Sequence, residues 1–224
     1  LFYRFKPNFV FHAAAYKHVD IVEENSDFSI KNNVLGLNNV LKLSRETKTK
    51  NFIFVSTDKA VRPVNIMGLT KKIGEIFTTL YSKSSKSGLN YNSVRFGNVI
   101  GSSGSFLQIL RKQLAKGGPI TITSKKATRY FMTINDAVNL VIQAPFLEGI
   151  GNTFILRMGN PINIYQMVLD LLKKNNMRVK DKKKSGDIEI KIIGLRDGEK
   201  IHEELFDSKK HVTKTENPLV LVEK

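Results

Sequence analysis

Phe52-Ile53-Phe54-Val55-Ser56-Thr57-Asp58-Lys59 is the stretch on which the fold reading turns. Its first four residues are an unbroken apolar run of strand length, and its last four are polar. A strand buried on both faces reads as such a run, and strands of that kind belong to parallel sheets covered by helices. Outward from this stretch the pattern recurs. Phe9-Val10-Phe11 reads as a short buried strand. Ala13-Ala14-Ala15 follows, and its small side chains allow a ligand to approach the backbone. Ser29 to Ser44 carries Ile30, Val34, Leu37, Val40 and Leu41 at helical spacing. Downstream, Pro63 stops any helix begun after Asp58. Met67 to Ser82 then reads as a helix, Tyr91 to Phe96 as a strand, and Gly97 to Gly101 as the loop after it. Strand, polar loop, helix and strand in this order predict an α/β fold with a mostly parallel sheet.

Beyond residue 104 the spacing loosens. Phe106 to Lys116, Ile134 to Phe146 and Asn163 to Lys174 read as helices. Ile120 to Thr123, Thr153 to Leu156 and Ile188 to Ile193 read as strands, and Gly194 to Lys200 as a polar loop. A smaller, mixed lobe is expected here. The length, 224 residues, allows one large domain or one domain with a lobe. With 41% hydrophobic and 25% charged residues, the composition suits a soluble globular chain. No apolar run reaches the roughly 18 residues of a membrane span. The absence of cysteine excludes disulfide scaffolds, thiolate metal sites and cysteine nucleophiles. The net charge of +16 suits an anionic partner of some kind or reflects lysine-biased composition alone. Nucleic acid is disfavoured, because no finger or basic-helix motif accompanies the charge. The densest basic run, Lys180 to Lys184, reads as a solvated loop.

The loop Ser56 to Lys59 is the strongest candidate site, since parallel sheets bind ligands at the carboxyl ends of their strands. It sets an acid beside a base, with Asp58 placed to donate a proton and Lys59 to accept one. The plainer alternative is a turn-capping Asp58 beside a solvated Lys59. Met67 and Lys71, at i and i+4, share a helix face. A lysine this near a helix N-terminus opposes the helix dipole, which suits contact with a ribose or phosphate. A surface lysine beside a core methionine is the competing reading. Asn98, between Gly97 and Gly101 and followed by Ser102, Ser103, Gly104 and Ser105, sits in a loop able to offer N–H groups to phosphate. A simple connector is the alternative there. Arg95, Arg129 and Arg196 are candidate pyrophosphate ligands by their forked geometry, with Arg196 best placed between Gly194 and Gly198. Each also reads as an ordinary surface arginine. His12, His18 and His202 have no metal-site spacing, and His211 has no informative neighbours.

These stretches together resemble the polysaccharide-biosynthesis (CapD-like) branch of the extended short-chain dehydrogenases. The resemblance rests on residues 11–19, 33–36, 55–63, 65–71, 94–105, 128–133 and 194–200, and so spans nearly the whole chain. There are departures. In the usual Tyr-x-x-x-Lys, Met67 stands in the tyrosine position with Lys71 retained, and a thioether exchanges no proton. Methionine there is similar to the large membrane-anchored dehydratases of the family. Asp197 stands where proline is usual. No G-x-G-x-x-G precedes Phe9, and Leu1 rather than methionine opens the chain, so a fragment or processed product is expected.

The resemblance implies a Rossmann-like, doubly wound parallel sheet lacking its first strands. Residues 1–104 would be the C-terminal part of an NAD(P)-binding domain. Residues 105–224 would be mainly a substrate lobe, with some segments returning to the core domain. It implies a UDP-N-acetylglucosamine 4,6-dehydratase using NAD or NADP. In that reading Lys59 takes the C5 proton, Asp58 protonates the departing C6 hydroxyl, and Thr57 bonds near the C4 oxygen. Met67 and Lys71 occupy the remaining catalytic positions. Ala13, Ala14, Ala15 and Lys71 line the cofactor, and Lys17, Asn98, Arg129 and Arg196 hold the UDP-sugar. A homo-oligomer is implied, in the cytoplasm or at the cytoplasmic face of the inner membrane, with any anchor upstream. No metal is implied. The rival readings are a 4-epimerase of the same fold and a non-catalytic remnant binding UDP-sugar or a partner chain.

Overall fold

A computed structural model describes residues 1–84, 89–102, 104–149, 151–180, 186–208 and 211–223. Ser103 of the serine-glycine loop and most of the basic run expected as a solvated loop lie outside the described residues. The chain divides into two compact units, one of residues 1–96, 135–157 and 204–224 and the other of 97–134 and 158–203. Residues 97–104 group with the second unit, and two later segments group with the first.

The first unit is built on a six-stranded sheet. Its order is β1 (Phe9–His12), β2 (Asn51–Val55), β3 (Asn90–Arg95), then Thr153–Leu156, Val220–Glu223 and Val212–Lys214. The first four strands run parallel. The last two are antiparallel additions. This is the α/β, parallel-dominated architecture expected from the apolar runs. Phe52, Ile53 and Phe54 are buried on both faces of the sheet. The register pairs His12 with Phe54 and Val55 with Val94, so the carboxyl ends of β1, β2 and β3 lie at one end of the sheet. The loops starting at Ala13, Ser56 and Phe96 therefore leave from that same end.

Helix Ile66–Lys83 packs onto the sheet through a cluster of Leu37, Leu41, Phe52, Phe54, Leu89 and Tyr91, with Phe77 and Tyr81 against it. Gly74 allows the approach, because a Cβ there would lie 2.4 Å from the Phe54 ring. Asn65 starts the helix by accepting the Gly68 N–H at 2.7 Å, the usual N-cap arrangement.

The expected helix Ser29 to Ser44 is interrupted. Residues Ser26–Ile30 and Leu37–Glu46 are α-helical, and Lys31–Gly36 between them is a π-helix. The wide turn changes which side chains face inward. Ile30, expected on the apolar stripe, is exposed, and Asn33 is buried in its place. Helix Ile134–Gln143 also stops short of Phe146, passing into a 3-10 turn at Ala144, where the Pro145 ring and missing N–H end the α-helical ladder. The strands Val212–Lys214 and Val220–Glu223 have no counterpart in the sequence reading.

The second unit has its own core. Leu110, Ile120, Ile122, Val168, Leu172 and Ile188 bring helices Phe106–Ala115 and Ile164–Lys174 together with the parallel strands Ile120–Ile122 and Ile190–Ile192. Strand Asn98–Ile100 pairs in parallel with Phe131–Thr133. Among the described residues, no helix is long and apolar enough to cross a membrane.

Candidate active site

The loop after β2 is fixed to β3 before any side chain is considered. The Ser56 N–H donates to the Val94 carbonyl at 2.8 Å, and the Asp58 N–H donates to the Phe96 carbonyl at 3.0 Å. Asp58–Ala60 then form one 3-10 turn, capped by the Thr57 hydroxyl. Asp58 is completely buried. Its Oδ1 accepts two bonds, from Thr57 Oγ1 at 2.9 Å and from Lys59 Nζ at 2.9 Å. Its Oδ2 is buried with no partner among the described residues. A buried carboxylate oxygen left unpartnered is costly, and such atoms point to a ligand group that completes the bonding. Lys59 keeps 21% of its side chain exposed, so the pair has one buried end and one open end.

The start of the helix is seated directly against this loop. A Cβ on Gly68 would lie 2.2 Å from the Lys59 carbonyl oxygen, so only glycine lets the two backbones approach this closely. Met67 and Lys71 are both buried, as the i, i+4 spacing requires of one face. Lys71 Nζ donates to the Val55 carbonyl at 2.8 Å and lies 4.8 Å from the centroid of the Phe54 ring. Burial lowers its pKa to about 8, against the opposing pull of the Glu75 carboxylate. The reading of Lys71 as a surface lysine is therefore incorrect.

His12 closes the neighbourhood at the end of β1. Its ring stacks at 6.1 Å from both Phe52 and Phe54. Burial, then the Lys71 charge, lowers its pKa, which keeps the imidazole neutral at pH 7. Ala13 and Ala14 beyond it are exposed, Ala15 is half-buried, and Lys17 is exposed. Sequence reasoning missed the group that holds this segment. Asn33, turned inward by the π-helix, accepts the Tyr16 N–H at 2.8 Å and donates to the Tyr16 carbonyl at 3.0 Å and to Thr70 Oγ1 at 3.1 Å. The sequence signals were a polar residue inside an otherwise helical pattern and its place in the matching stretch 33–36, to which no role was given.

Arg95 is not a pyrophosphate ligand. It is 1% exposed and its guanidinium is committed internally, to Glu75, Glu223 and the Leu205 carbonyl. Its position at the end of β3, just before a glycine loop, made it look available, while its acidic partners stand far away in sequence. Burial alone would lower its pKa, and the bonds to Glu75 and Glu223 more than offset that, so it stays charged.

The other expected substrate residues belong to the second unit. Asn98 is half-buried, and its N–H donates to the Tyr130 carbonyl at 3.0 Å. Arg129 donates to Glu199 at 2.6 Å and to the Thr128 and Ile201 carbonyls. It therefore pins the segment that follows Arg196. Arg196 is exposed, in a loop turned by Gly194 and Gly198 at φ 84° and 74°.

Comparison with known proteins adds the following. The family described as polysaccharide biosynthesis protein matches residues 1–224. Capsular polysaccharide biosynthesis protein CapD of Staphylococcus aureus is 44% identical over 204 residues, which are 91% of this chain and 33% of that protein. A UDP-glucose 4-epimerase of Rickettsia rickettsii is 36% identical over 90% of this chain and 56% of its own length. The chain thus spans about a third of one curated relative and just over half of the other. Among solved structures, Pen from Bacillus thuringiensis superposes with a TM-score of 0.85 at 33% identity, covering 96% of this chain and 66% of that one. The UDP-glucose 4-epimerase of Thermus thermophilus, in complex with NAD, gives 0.74 at 20% identity over 92% of this chain and 71% of that one, a likeness of fold.

Proposed function

The chain belongs to the polysaccharide biosynthesis protein family, in its CapD-like branch of extended short-chain dehydrogenases, and on that premise we propose that the full-length protein is an NAD(P)-dependent UDP-N-acetylglucosamine 4,6-dehydratase. The observation that carries this is the buried Asp58, with Lys59 Nζ 2.9 Å from Oδ1 and Oδ2 still unpartnered among the described residues. An elimination needs a base and an acid side by side, and this loop supplies both on a rigid turn. An enzyme that only exchanged hydride at C4 would need neither a second acid nor a second base.

A dinucleotide fits the residues at this end of the sheet. Exposed Ala13 and Ala14 put no bulk beyond β1, and Lys71 sets an amine in the wall beneath. When bound, the cofactor supplies reversible hydride exchange, first with the hexose C4 and last with C6. The chain's own residues handle the protons. Asp58 takes the C4 hydroxyl proton, since Met67 cannot. Lys59, as the free amine, removes the C5 proton made acidic by the 4-keto group. Asp58 returns its proton to the C6 hydroxyl, which leaves as water. Lys59 then gives its proton back to C5, so both groups end as they began. Thr57 holds Oδ1 in place, and Lys71 would hold the nicotinamide ribose of a bound cofactor and adds positive charge beside the acid. Lys17, Asn98, Arg129 and Arg196 serve the UDP-sugar, Arg129 through the segment it pins.

The test is product analysis with full-length protein, UDP-N-acetylglucosamine and NAD or NADP. A 6-deoxy-4-keto sugar, lighter by one water, supports the proposal. An intact hexose inverted at C4 overturns it in favour of 4-epimerisation, the reading that the Rickettsia relative supports.

A further inference from the structure

An array of charges, buried at Glu75 and Arg95 and partly open to solvent at Lys72 and Asp207, is joined to the Asp58 loop through Ser56 and takes no part in the proton steps above. Ser56 is buried, and its hydroxyl donates to Glu75 Oε1 at 2.6 Å. The same oxygen accepts Arg95 Nε at 3.0 Å, and Oε2 accepts Arg95 Nη2 at 2.7 Å. Arg95 Nη1 continues to the Leu205 carbonyl at 3.0 Å and to Glu223 Oε2 at 2.7 Å. Glu223 Oε1 in turn accepts the Asp207 N–H at 2.7 Å. Asp207 closes the array by pairing with Lys72 at 2.6 Å.

Stability is a poor explanation for this array. Taking an arginine and two carboxylates out of water is expensive, and apolar replacements of such groups are often neutral or stabilising. Directional geometry is what the array provides. Both Glu75 oxygens are fixed by one guanidinium, and Oε1 also anchors the Ser56 hydroxyl at the end of β2. Ser56 is two residues before Asp58. Misplacement of a reacting group by about 1 Å can cost about 100-fold in rate.

We infer that Glu75 and Arg95 are positioning residues for the Thr57-Asp58-Lys59 loop, and that through them Leu205 and Glu223, from the C-terminal part of the chain, hold that loop in place. The effect on turnover rests on the proposed dehydratase reading; the effect on the loop does not. The experiment uses the full-length protein with Ser56→Ala, Glu75→Gln and Glu223→Gln. Amide hydrogen exchange in residues 56–60 is measured together with kcat and KM. Ser56→Ala, which leaves the ion pair intact, is expected to speed exchange in that peptide about 10-fold with β1 unchanged. Its kcat should fall about 10-fold with KM within about twofold, and the unchanged exchange of β1 separates this from a loss of folded protein, which would also lower kcat at constant KM. Glu75→Gln should act in the same direction and more strongly. Should it fail to fold, Ser56→Ala carries the test. Glu223→Gln should loosen the same peptide by a smaller factor. Unchanged exchange in residues 56–60 of Ser56→Ala overturns the inference, and unchanged exchange in Glu223→Gln overturns the part concerning the C-terminal segment. A loosened loop in a protein that turns over no UDP-sugar sustains the inference and removes the dehydratase reading instead.

Discussion

In the loop that follows β2, Asp58 is wholly buried and two neighbouring donors converge on one of its oxygens, whereas in the loop 194–200 the residues from Gly194 to Asp197 are exposed. Both stretches are short, polar and charged, and in sequence both are candidates for a ligand, the first the stronger. The first is fastened by backbone bonds to β3, by a helix packed against Lys59, and by Ser56 on Glu75. The second is shaped by two left-handed glycines and tethered where Arg129 holds Glu199. Groups that move protons need fixed geometry and a dry setting. A group that grips a phosphate needs reach and a fork of donors. On this comparison, damage to the first loop should appear in kcat and damage to the second in KM.

The sharpest test is Asp58→Asn in the full-length protein. The amide keeps the shape and loses the proton exchange, so kcat should fall about 100-fold or more, from the scale of general acid–base effects. Lys59→Ala should do the same. Steady-state kinetics with melting curves check this, and near-normal turnover would remove the distinction between the loops. Gly68→Ala comes next. Its Cβ would meet the Lys59 carbonyl at 2.2 Å, and neither backbone is free to yield. Overpacking of this kind costs about 1–3 kcal/mol, so the melting temperature should drop and kcat fall with it. A melting curve like that of the parent protein would show that the loop is softer than its contacts suggest.

Lys71 sharpens the comparison through pH. Its pKa is about 8 in the folded chain against 10.5 for a free lysine. Below about pH 8 the folded state holds a buried charge at a cost of roughly 3 kcal/mol, at 1.36 kcal/mol per unit. Between about pH 8 and 10.5 the unfolded chain keeps that proton and the folded chain has lost it, so stability rises with pH. Lys71→Met should therefore be more stable than the parent at pH 7, by about 1–3 kcal/mol. The gap should close as pH approaches 10.5, while activity is lost throughout. Denaturant titrations of both proteins at several pH values measure this. A gap independent of pH would mean that Lys71 is not the titrating group.

How much of this was legible follows from where each residue's partners lie. Phe52 to Val55 was readable as a strand because burial on both faces leaves an unbroken apolar run, whereas Tyr91 to Arg95, which carries Asn92 and Ser93, was readable by its place between a helix and the loop from Gly97 to Gly101. The Asp58-Lys59 pair was readable because its partners are adjacent in sequence. Arg95 was misread for the opposite reason: Glu75 and Glu223 stand 20 and 128 residues away, and no local pattern announces them. Val220 to Glu223 forms a strand whose burial alternates, but it is short, and only its pairing with Thr153–Leu156 defines it. The π-helix at Lys31–Gly36 escaped because helical periodicity assumes a constant turn, and Asn33 departs from it to bond Tyr16.

The smallest expected effect falls on Arg196, and it decides whether exposure in the second loop means recognition. The Arg196 N–H reaches Glu199 Oε2 at 3.3 Å, and the residue is exposed. Arg196→Ala should therefore leave the melting temperature within about 1 °C, since surface changes usually stay within about 0.5 kcal/mol. If the guanidinium grips a pyrophosphate, losing one charge-assisted contact at an exposed site costs about 1 kcal/mol, and KM should rise about fivefold with kcat unchanged. Arg196→Lys keeps the charge and loses the fork, so it should recover only part of that loss. Full recovery by lysine would reduce the contact to a point charge. Unchanged KM in Arg196→Ala would leave the loop 194–200 as surface, and the contrast with the Asp58 loop would then be one between a site and a connector.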